Sequence, residues 1–326
     1  MKASIITKYG SPDVLQLQDV PKPTPKDHEI LIKIHAASLT PSDCAFLKGE
    51  PFIIKVIYGF AKPKFSIPGV ELAGEVEAVG KDVRLFKRGD QVFGMSPDTF
   101  GAHAEYVCLP EDKVVVLKPT NMTYAETVGM CDGATTALTF LRDTAKIQSG
   151  QKVLINGASG AVGVYGVQLA RYFGAEVTAV CSSANFEMVN AAGANHVIDY
   201  TQQDFTRNGQ TYDVIFDAVG KRSFSQCKRS LTQKGIYLTT VPTLGIVWDM
   251  LRTAIAGSKK AKFVTAGLMQ NKEKLNFLKD LCEAGHIKAT IDRCYPLEDI
   301  AQAYHYVDTG HKKGNVIVTI AQHPAA

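Results

Sequence analysis

Three glycines fall at every third position in Gly157-Ala158-Ser159-Gly160-Ala161-Val162-Gly163. This turn joins an apolar run, Lys152 to Asn156, to a stretch of helical pattern, Val164 to Phe173, closed by Gly174. A dinucleotide pyrophosphate has to come against backbone amides at a helix amino terminus, where the partial positive charge lies, and a Cβ would obstruct it. Strand, turn, helix and second strand follow in the order such a site needs. Gly157, Ser159, Gly160, Ala161, Val162 and Gly163 are therefore expected to bind a nicotinamide dinucleotide. The second strand ends in Cys181-Ser182-Ser183-Ala184-Asn185. An Asp or Glu there would bond the ribose hydroxyls and repel a phosphate. None is present, and Ser182, Ser183 and Asn185 offer two hydroxyls and an amide to a 2′-phosphate, without an Arg or Lys to add charge. The expected cofactor is NADPH; the alternative is that these residues only cap a helix and specificity is set elsewhere.

Other chemistries find less support. The eight histidines show no His-x-x-x-His or similar spacing and read as surface or capping residues. The seven cysteines (44, 108, 131, 181, 227, 282, 294) form no Cys-x-x-Cys pair, so they read as reduced thiols in a reducing compartment. Lys plus Arg number 36 against 32 Asp plus Glu, a net charge of +4 and no footprint of a nucleic-acid binder. The longest apolar runs, such as Pro51 to Phe60, fall far short of the roughly 20 residues of a membrane span. No signal or presequence pattern marks the amino terminus, and a cytoplasmic protein is expected. Lys259, Lys260 and Lys262 read as a solvated loop.

The elements that must position these residues follow from patterning. At 326 residues, 45% hydrophobic and 21% charged, the chain fits two globular domains and neither a disordered nor a coiled-coil class. From Met1 to about Asn121, short β-like runs alternate with Pro and Gly: Leu31 to His35, Gly74 to Val79, Gln91 to Gly94, Glu105 to Leu109 and Val114 to Leu117. From about Thr123 apolar strands alternate with helical stretches. Six strands are predicted, at Val153 to Asn156, Glu176 to Val180, His196 to Asp199, Asp213 to Ala218, Gly235 to Thr240 and Phe263 to Ala266. Each gap holds one crossover helix, which is the arrangement of a doubly wound parallel sheet. Helical spacing returns over Lys272 to Ala284 and Leu297 to Val307 before a final strand, Asn315 to Ile320, and the tail is expected to rejoin the first domain.

With those residues in hand, the chain resembles the medium-chain dehydrogenase/reductase superfamily, in particular its zinc-independent quinone oxidoreductase branch, over nearly its whole length. The likeness rests on Lys2 to Gly10 with Pro12-Asp13-Val14-Leu15, on Pro68-Gly69-Val70-Glu71-Leu72-Ala73-Gly74, on Gly89-Asp90-Gln91-Val92-Phe93-Gly94, and on Asp292 to Leu297 with Gly310-His311-Lys312-Lys313-Gly314-Asn315-Val316. It implies an α/β fold: a Rossmann doubly wound parallel sheet plus a GroES-like β-rich domain built from both chain ends, with the reaction in the cleft. The expected domains are 1–122 with 268–326 for substrate and catalysis, and 123–267 for NADP. The family's usual state is a homodimer.

The resemblance also bears on metal. Zinc-holding relatives need soft or imidazole ligands, and the positions of two of them are Thr40 and Val70 here. Cys131 matches a third, but without partners it reads as a buried structural thiol. The four-cysteine lobe is missing. Polarising a carbonyl then falls to hydrogen-bond donors, which suits quinones and conjugated carbonyls. The resemblance assigns Thr40, Asp43 and Thr135 to orienting cofactor and substrate, against a helix cap at Thr135 and a turn-forming Asp43 as structural alternatives. It assigns Tyr200, Val219, Gly220, Thr240, Val241, Gly314 and Asn315 to cofactor contact.

The apolar stretch from Lys48 to Phe65 could be an acceptor-binding lid with Tyr58 on the substrate, a dimer contact, or a loop packed into the core. The function expected is an NADPH-dependent, zinc-independent reductase of quinones or α,β-unsaturated carbonyls. The alternatives are an alcohol dehydrogenase or enoyl-thioester reductase on the same scaffold, and a non-catalytic NADPH-binding interaction protein, including one that meets a membrane surface through the three lysines.

Overall fold

A computed structural model describes residues 1–320; the last six residues of the expected first domain, 321–326, lie outside the described residues. In chain order the strands are β1 (Lys2–Ile5), β2 (Gln16–Asp19), β3 (Glu29–Leu39), β4 (Glu71–Val79), β5 (Gln91–Met95), β6 (Tyr106–Pro110), β7 (Val115–Leu117), β8 (Lys152–Asn156), β9 (Glu176–Cys181), β10 (His196–Asp199), β11 (Tyr212–Asp217), β12 (Leu231–Thr239), β13 (Lys260–Lys262), β14 (Ile291–Pro296) and β15 (Asn315–Thr319). Contacts divide the chain into two compact units. One holds residues 1–131, 271–283 and those from 288 onward; the other holds 132–270 and 284–287.

The first unit is built on a seven-stranded sheet in the order β14-β15-β3-β4-β5-β7, with β6 also on β3. The eleven-residue β3 is its spine, because Ile30, Ile32, Ile34, Ala37 and Leu39 are buried and hold three neighbours in antiparallel register. One neighbour is β15, from the far end of the chain (Val316 opposite Leu39). This is the GroES-like β-rich domain.

The second unit is a six-stranded, wholly parallel sheet in the order β10-β9-β8-β11-β12-β13. Parallel strands are covered on both faces, so they read as unbroken apolar runs. Val153, Leu154 and Ile155 of β8 are fully buried accordingly. The helix Ala161–Tyr172 crosses from β8 to β9 and stops where Gly174 takes the left-handed conformation, φ +80°.

One predicted element is displaced. The sixth strand is β13, Lys260–Lys262, and the more apolar Phe263 to Ala266 lies beyond it. The lysines expected to form a solvated loop are instead tied down. Lys259 Nζ donates to the carbonyls of Lys228 (2.8 Å) and Leu231 (2.7 Å), Lys262 Nζ to that of Thr144 (2.8 Å), and Lys260 Nζ to that of Thr253. A lysine stem covers apolar surface while its amine reaches a carbonyl, and hydropathy alone misplaces the strand for that reason. Lysines at a sheet edge also discourage further strand pairing.

Candidate active site

The strand order of the parallel sheet reverses between β8 and β11, and in open sheets of this kind ligands bind in the crevice outside the carboxyl ends at that point. The glycine turn leaves β8 there. Gly157 sits at φ +77°, and a Cβ on it would lie 2.4 Å from Val219 Cγ1. A Cβ on Gly163 would lie 2.1 Å from the Gly157 carbonyl oxygen. The fold itself therefore requires glycine at both positions. Gly160 differs: its φ of −79° suits any residue, and the nearest atom to an added Cβ is 3.5 Å away. Nothing in the protein forbids a side chain at Gly160, the amino-terminal cap of Ala161–Tyr172. The amides of Ala161, Val162 and Gly163 precede the first intrahelical bond, Val164 N–H to the Gly160 carbonyl (2.9 Å). Open space in front of free helix amides is the cradle that a pyrophosphate fits.

Asp217, at the end of β11, organises the neighbouring loop. Its fully buried carboxylate accepts from Asn156 Nδ2 (2.9 Å) and from the amides of Val219 (3.3 Å), Gly220 (3.0 Å) and Arg222 (2.8 Å), and from the Tyr237 hydroxyl (3.2 Å). Burial pushes the Tyr237 hydroxyl well above its usual range, so it stays a donor. Gly220 is at φ +66°, where a Cβ would meet Val241 Cγ2 at 2.3 Å. Thr240 binds the same loop, its hydroxyl donating to the Ala218 carbonyl (3.2 Å). The ends of β8, β11 and β12 thus bring together Gly157, Val219, Gly220, Thr240 and Val241. A cavity of about 300 Å³ beside them is lined by Gly220, Arg222, Tyr237, Thr239, Val241 and Thr243. In the sequence Asn156 and Asp217 fall only within predicted strands, with no role assigned to them.

At the end of β9, Asn185 Nδ2 donates to Ser159 Oγ and to Ser182 Oγ, both 3.2 Å, which joins the glycine turn to the predicted ribose site. Asn185 Oδ1 is buried with no partner. Tyr200 is exposed, its ring open to stacking. The structure adds a residue that the local sequence reading missed. Asp199 of β10 pairs with Cys181 of β9, and its carboxylate accepts hydrogen bonds from Thr201 and Ser183, which hold it below the usual carboxylate range. An acid does stand at the second strand's end, supplied by the strand beside it.

The remaining candidates are distributed differently. In the first unit, Thr40 caps the helix Pro41–Lys48. Its hydroxyl donates to Asp43 Oδ2 (2.7 Å), its amide donates to the same oxygen (2.8 Å), and the Asp43 amide donates back to Thr40 Oγ1 (3.4 Å). The Thr40 proton is thus already committed to Asp43. His103 is fully buried, which corrects its expected surface or capping role. Nε2 faces the Ser38 carbonyl (3.2 Å) and so carries the proton, leaving Nδ1 to accept from the Tyr304 hydroxyl (3.3 Å). Tyr58, on the short helix Ile53–Tyr58, turns its ring inward against Phe46 and Phe100 (5.4 and 5.5 Å between centroids), while Phe52, Ile53, Val56, Ile57 and Phe60 face outward. Gly314 is at φ +70°, and Asn315 Nδ2 donates to the Thr290 carbonyl (3.0 Å). In the second unit, Thr135 is fully buried and its hydroxyl donates to the Asp132 carbonyl (3.2 Å). Among the described residues no group of three or more His, Cys, Asp or Glu is arranged to hold a metal ion.

Comparison with known proteins adds independent findings. Residues 26–119 match the alcohol dehydrogenase GroES-like domain, and 192–318 match the zinc-binding dehydrogenase domain. A chloroplast envelope quinone oxidoreductase homolog from Arabidopsis thaliana is 32% identical over 314 residues, covering 93% of each chain. The chain belongs to the medium-chain dehydrogenase/reductase family. Another member, the NADPH-dependent alkenal/one oxidoreductase of Arabidopsis chloroplasts, is 30% identical over 98% of this chain and 79% of its own. The solved quinone oxidoreductase of Coxiella burnetii superposes with a TM-score of 0.88 at 29% identity, covering 98% of this chain and 99% of that one. As a family member the protein is an NAD(P)H-type oxidoreductase that uses a nicotinamide cofactor and a small-molecule substrate. Among the described residues no helix is long and apolar enough to cross a membrane.

Proposed function

We propose that this protein reduces quinones or α,β-unsaturated carbonyl compounds with NADPH, without zinc. The observation that carries the dinucleotide part is Gly160, a position where the fold tolerates a side chain and the sequence leaves it out; the choice of NADPH over NADH rests on Ser182, Ser183 and Asn185 as donors, against the Asp199 carboxylate beside them. The acceptor class follows from the names of the relatives, and zinc independence from Thr40 and Val70 at positions where zinc-holding relatives carry ligands. When bound, the reduced nicotinamide supplies a hydride to the acceptor. Gly160, Ala161, Val162 and Gly163 hold the pyrophosphate, and Gly157, Val219, Gly220, Thr240 and Val241 shape the neighbouring crevice. Ser159, Ser182 and Asn185 meet the adenosine ribose, and Tyr200 covers the adenine.

In this reading residues 1–122 with 268–326 carry the acceptor side. Thr40 and Asp43 act as positioning residues, because their hydrogen bonds are spent on fixing the start of Pro41–Lys48. Thr135 likewise braces its own helix, and Gly314 and Asn315 shape the start of β15. Tyr58 anchors the short helix whose outward face, Phe52 to Phe60, contacts an apolar acceptor. An acceptor whose charge spreads over a conjugated system needs only modest stabilisation. The protein works as a cytoplasmic homodimer.

The test is NADPH oxidation followed optically with a naphthoquinone, an ortho-quinone, a small enone and a simple aldehyde, repeated with NADH and with a chelator. Turnover of the quinone or enone, unchanged by the chelator, is expected. Turnover of the aldehyde alone, or loss of activity with chelator, overturns the reading.

A further inference from the structure

The short helix Ile53–Tyr58 of the first unit turns Ile54 and Tyr58 inward onto the core. Its outward side is apolar as well: Phe52, Ile53, Val56, Ile57 and Phe60 are 63%, 55%, 58%, 60% and 72% exposed. Ile53, Val56 and Ile57, three and four residues apart, share one face of the helix. Phe52 and Phe60 close that face from its two ends, edge to face with ring centroids 5.8 Å apart. The chain then folds back. Gly59 takes φ +117°, the Tyr9 hydroxyl donates to the Gly59 carbonyl (2.7 Å), and the Lys64 amide donates to the Tyr58 carbonyl (2.7 Å), which sets residues 60–64 beside the helix's carboxyl end. A contiguous exposed apolar patch marks an interaction site. We propose that this face docks on the surface of an acidic lipid bilayer, and that the acceptor is one dissolved in that bilayer. The second half rests on the reading above that this face contacts an apolar acceptor, and adds where the acceptor is met.

Charge selects lipid as the occupant. Residues 51–70 hold Lys55, Lys62 and Lys64 and no Asp or Glu; Glu50 precedes them, and Glu71, which follows, is buried. Lys48 is spent on Asp308 (2.6 Å), but among the described residues none of these three lysines pairs with a carboxylate. The Lys55 and Lys64 amines lie 5.4 Å from the ring centroids of Tyr9 and Phe65, contacts that leave their charge in place, and Lys62 is exposed. Cations around an apolar face are the pattern by which a protein lies on an acidic leaflet. The apolar side chains enter the boundary of headgroups and acyl chains, and the amines stay among the phosphates. A second copy of the chain offers the same lysines and no carboxylate to answer them.

The helix Leu244–Ile255 of the second unit gives the comparison. It too leaves an apolar row on water, Leu244, Val247, Trp248, Leu251 and Ile255, but the two charges it carries, Asp249 and Arg252, pair with each other at 3.0 Å. Lys259 and Lys260, which follow it, hold their amines against carbonyls of their own chain. The face from Phe52 to Phe60 joins exposed apolar side chains to uncommitted cations, and that row does not. A quinone or enone with an apolar tail partitions into a bilayer, so a protein lying on the surface by this face meets it where it is concentrated.

The full chain is sedimented with vesicles of phosphatidylcholine alone and of phosphatidylcholine with phosphatidylglycerol. NADPH oxidation is then followed with a long-chain benzoquinone dissolved in each lipid and with a water-soluble naphthoquinone free of lipid. The native protein is compared with a variant carrying Lys62→Gln and Lys64→Gln together. Docking on the phosphatidylglycerol vesicles and not on phosphatidylcholine is expected. Each cation beside an acidic surface is worth about fivefold in partition, so the variant should dock more than about tenfold more weakly. Its turnover of the lipid-dissolved quinone should fall in step, while its thermal melt and its turnover of the naphthoquinone stay unchanged. Equal docking on the two compositions, or docking unweakened in the variant, overturns the surface. No docking at all, with the naphthoquinone turned over, overturns the proposal and leaves the quinone reductase reading standing. Docking with turnover of the naphthoquinone and none of the lipid-dissolved quinone overturns the source of the acceptor. No turnover of either quinone overturns the reductase reading and with it the acceptor, while sedimentation still decides the docking. Light scattering in which Phe60→Ser splits a native dimer into monomers gives the face to a second copy and overturns the proposal.

Discussion

Gly160→Val separates a glycine kept for a ligand from glycines kept for the fold. At φ −79° and ψ 170° the backbone is extended, a conformation that a β-branched residue adopts freely, and the nearest atom to the new Cβ is 3.5 Å away. Stiffening the unfolded chain is worth about 0.4–1 kcal/mol, and valine is a poorer helix cap than glycine by a similar amount. At about 2–4 °C per kcal/mol for a unit of this size, the melting temperature should stay within roughly 4 °C of the native value. The same side chain stands in front of the Ala161, Val162 and Gly163 amides. Losing two hydrogen bonds to a charged phosphate, each worth about 1.5–3 kcal/mol, raises the NADPH dissociation constant by more than about a hundredfold. Gly163→Ala is the counterpart: its Cβ would lie 2.1 Å from a backbone oxygen, so it should lower the melting temperature with or without cofactor. Calorimetric titration with NADPH and thermal melts of both variants make the measurement. If Gly160→Val binds NADPH within threefold of the native affinity, the pyrophosphate does not lie on this turn and the cofactor assignment fails.

Removing the carboxylate of Asp199 should relieve its repulsion of a 2′-phosphate and free Ser183 to donate to it. Asp199→Ser is thus expected to lower KM for NADPH roughly three- to tenfold without improving NADH; equal effects on the two cofactors would place Asp199 outside the ribose site. Burial holds the His103 pKa below its usual value, with Asp43 only partly opposing the shift. The unfolded chain therefore takes up this proton first as pH falls, and stability contributed by neutral His103 is lost below about pH 6.5. Thermal melts between pH 7.5 and 5.5 should show that decline, and His103→Gln should flatten it; identical slopes would show that His103 is not its source. Tyr58→Ala removes a ring held between Phe46 and Phe100 and should cost about 1–3 kcal/mol of stability in a urea melt. Phe60→Ser, on the exposed face, should leave the melt unchanged and raise KM for a naphthoquinone severalfold, and the reverse pattern would exchange the two roles.

Much of the site was legible because its signal is local. The spacing of Gly157, Gly160 and Gly163, the apolar run ahead of them and the helical stretch behind them lie within 23 consecutive residues, 152 to 174, and strand, turn and helix follow from periodicity within that span. The sheet order was legible as a class, since apolar strands spaced by single helices pair in parallel. What failed to appear did so for physical reasons that act across the chain. Hydropathy placed the sixth strand on Phe263 to Ala266, because it cannot register lysine amines satisfied by carbonyls from Thr144, Lys228 and Thr253. A histidine without ligand spacing looked superficial until β3 and the helix Ile300–Asp308 closed around it.

The sequence by itself determined that a glycine-rich turn leads from β8 into the following helix and which residues form it, because that turn is made by neighbours in the chain. Only tertiary structure decided that Gly160, alone of the three, is free of any demand from the fold. It alone set Asp199 beside Ser183, turned Tyr58 inward, and left the row from Leu244 to Ile255 facing water. Each of these depends on which distant backbone lies within a few ångströms, and no local pattern of residue types encodes that distance.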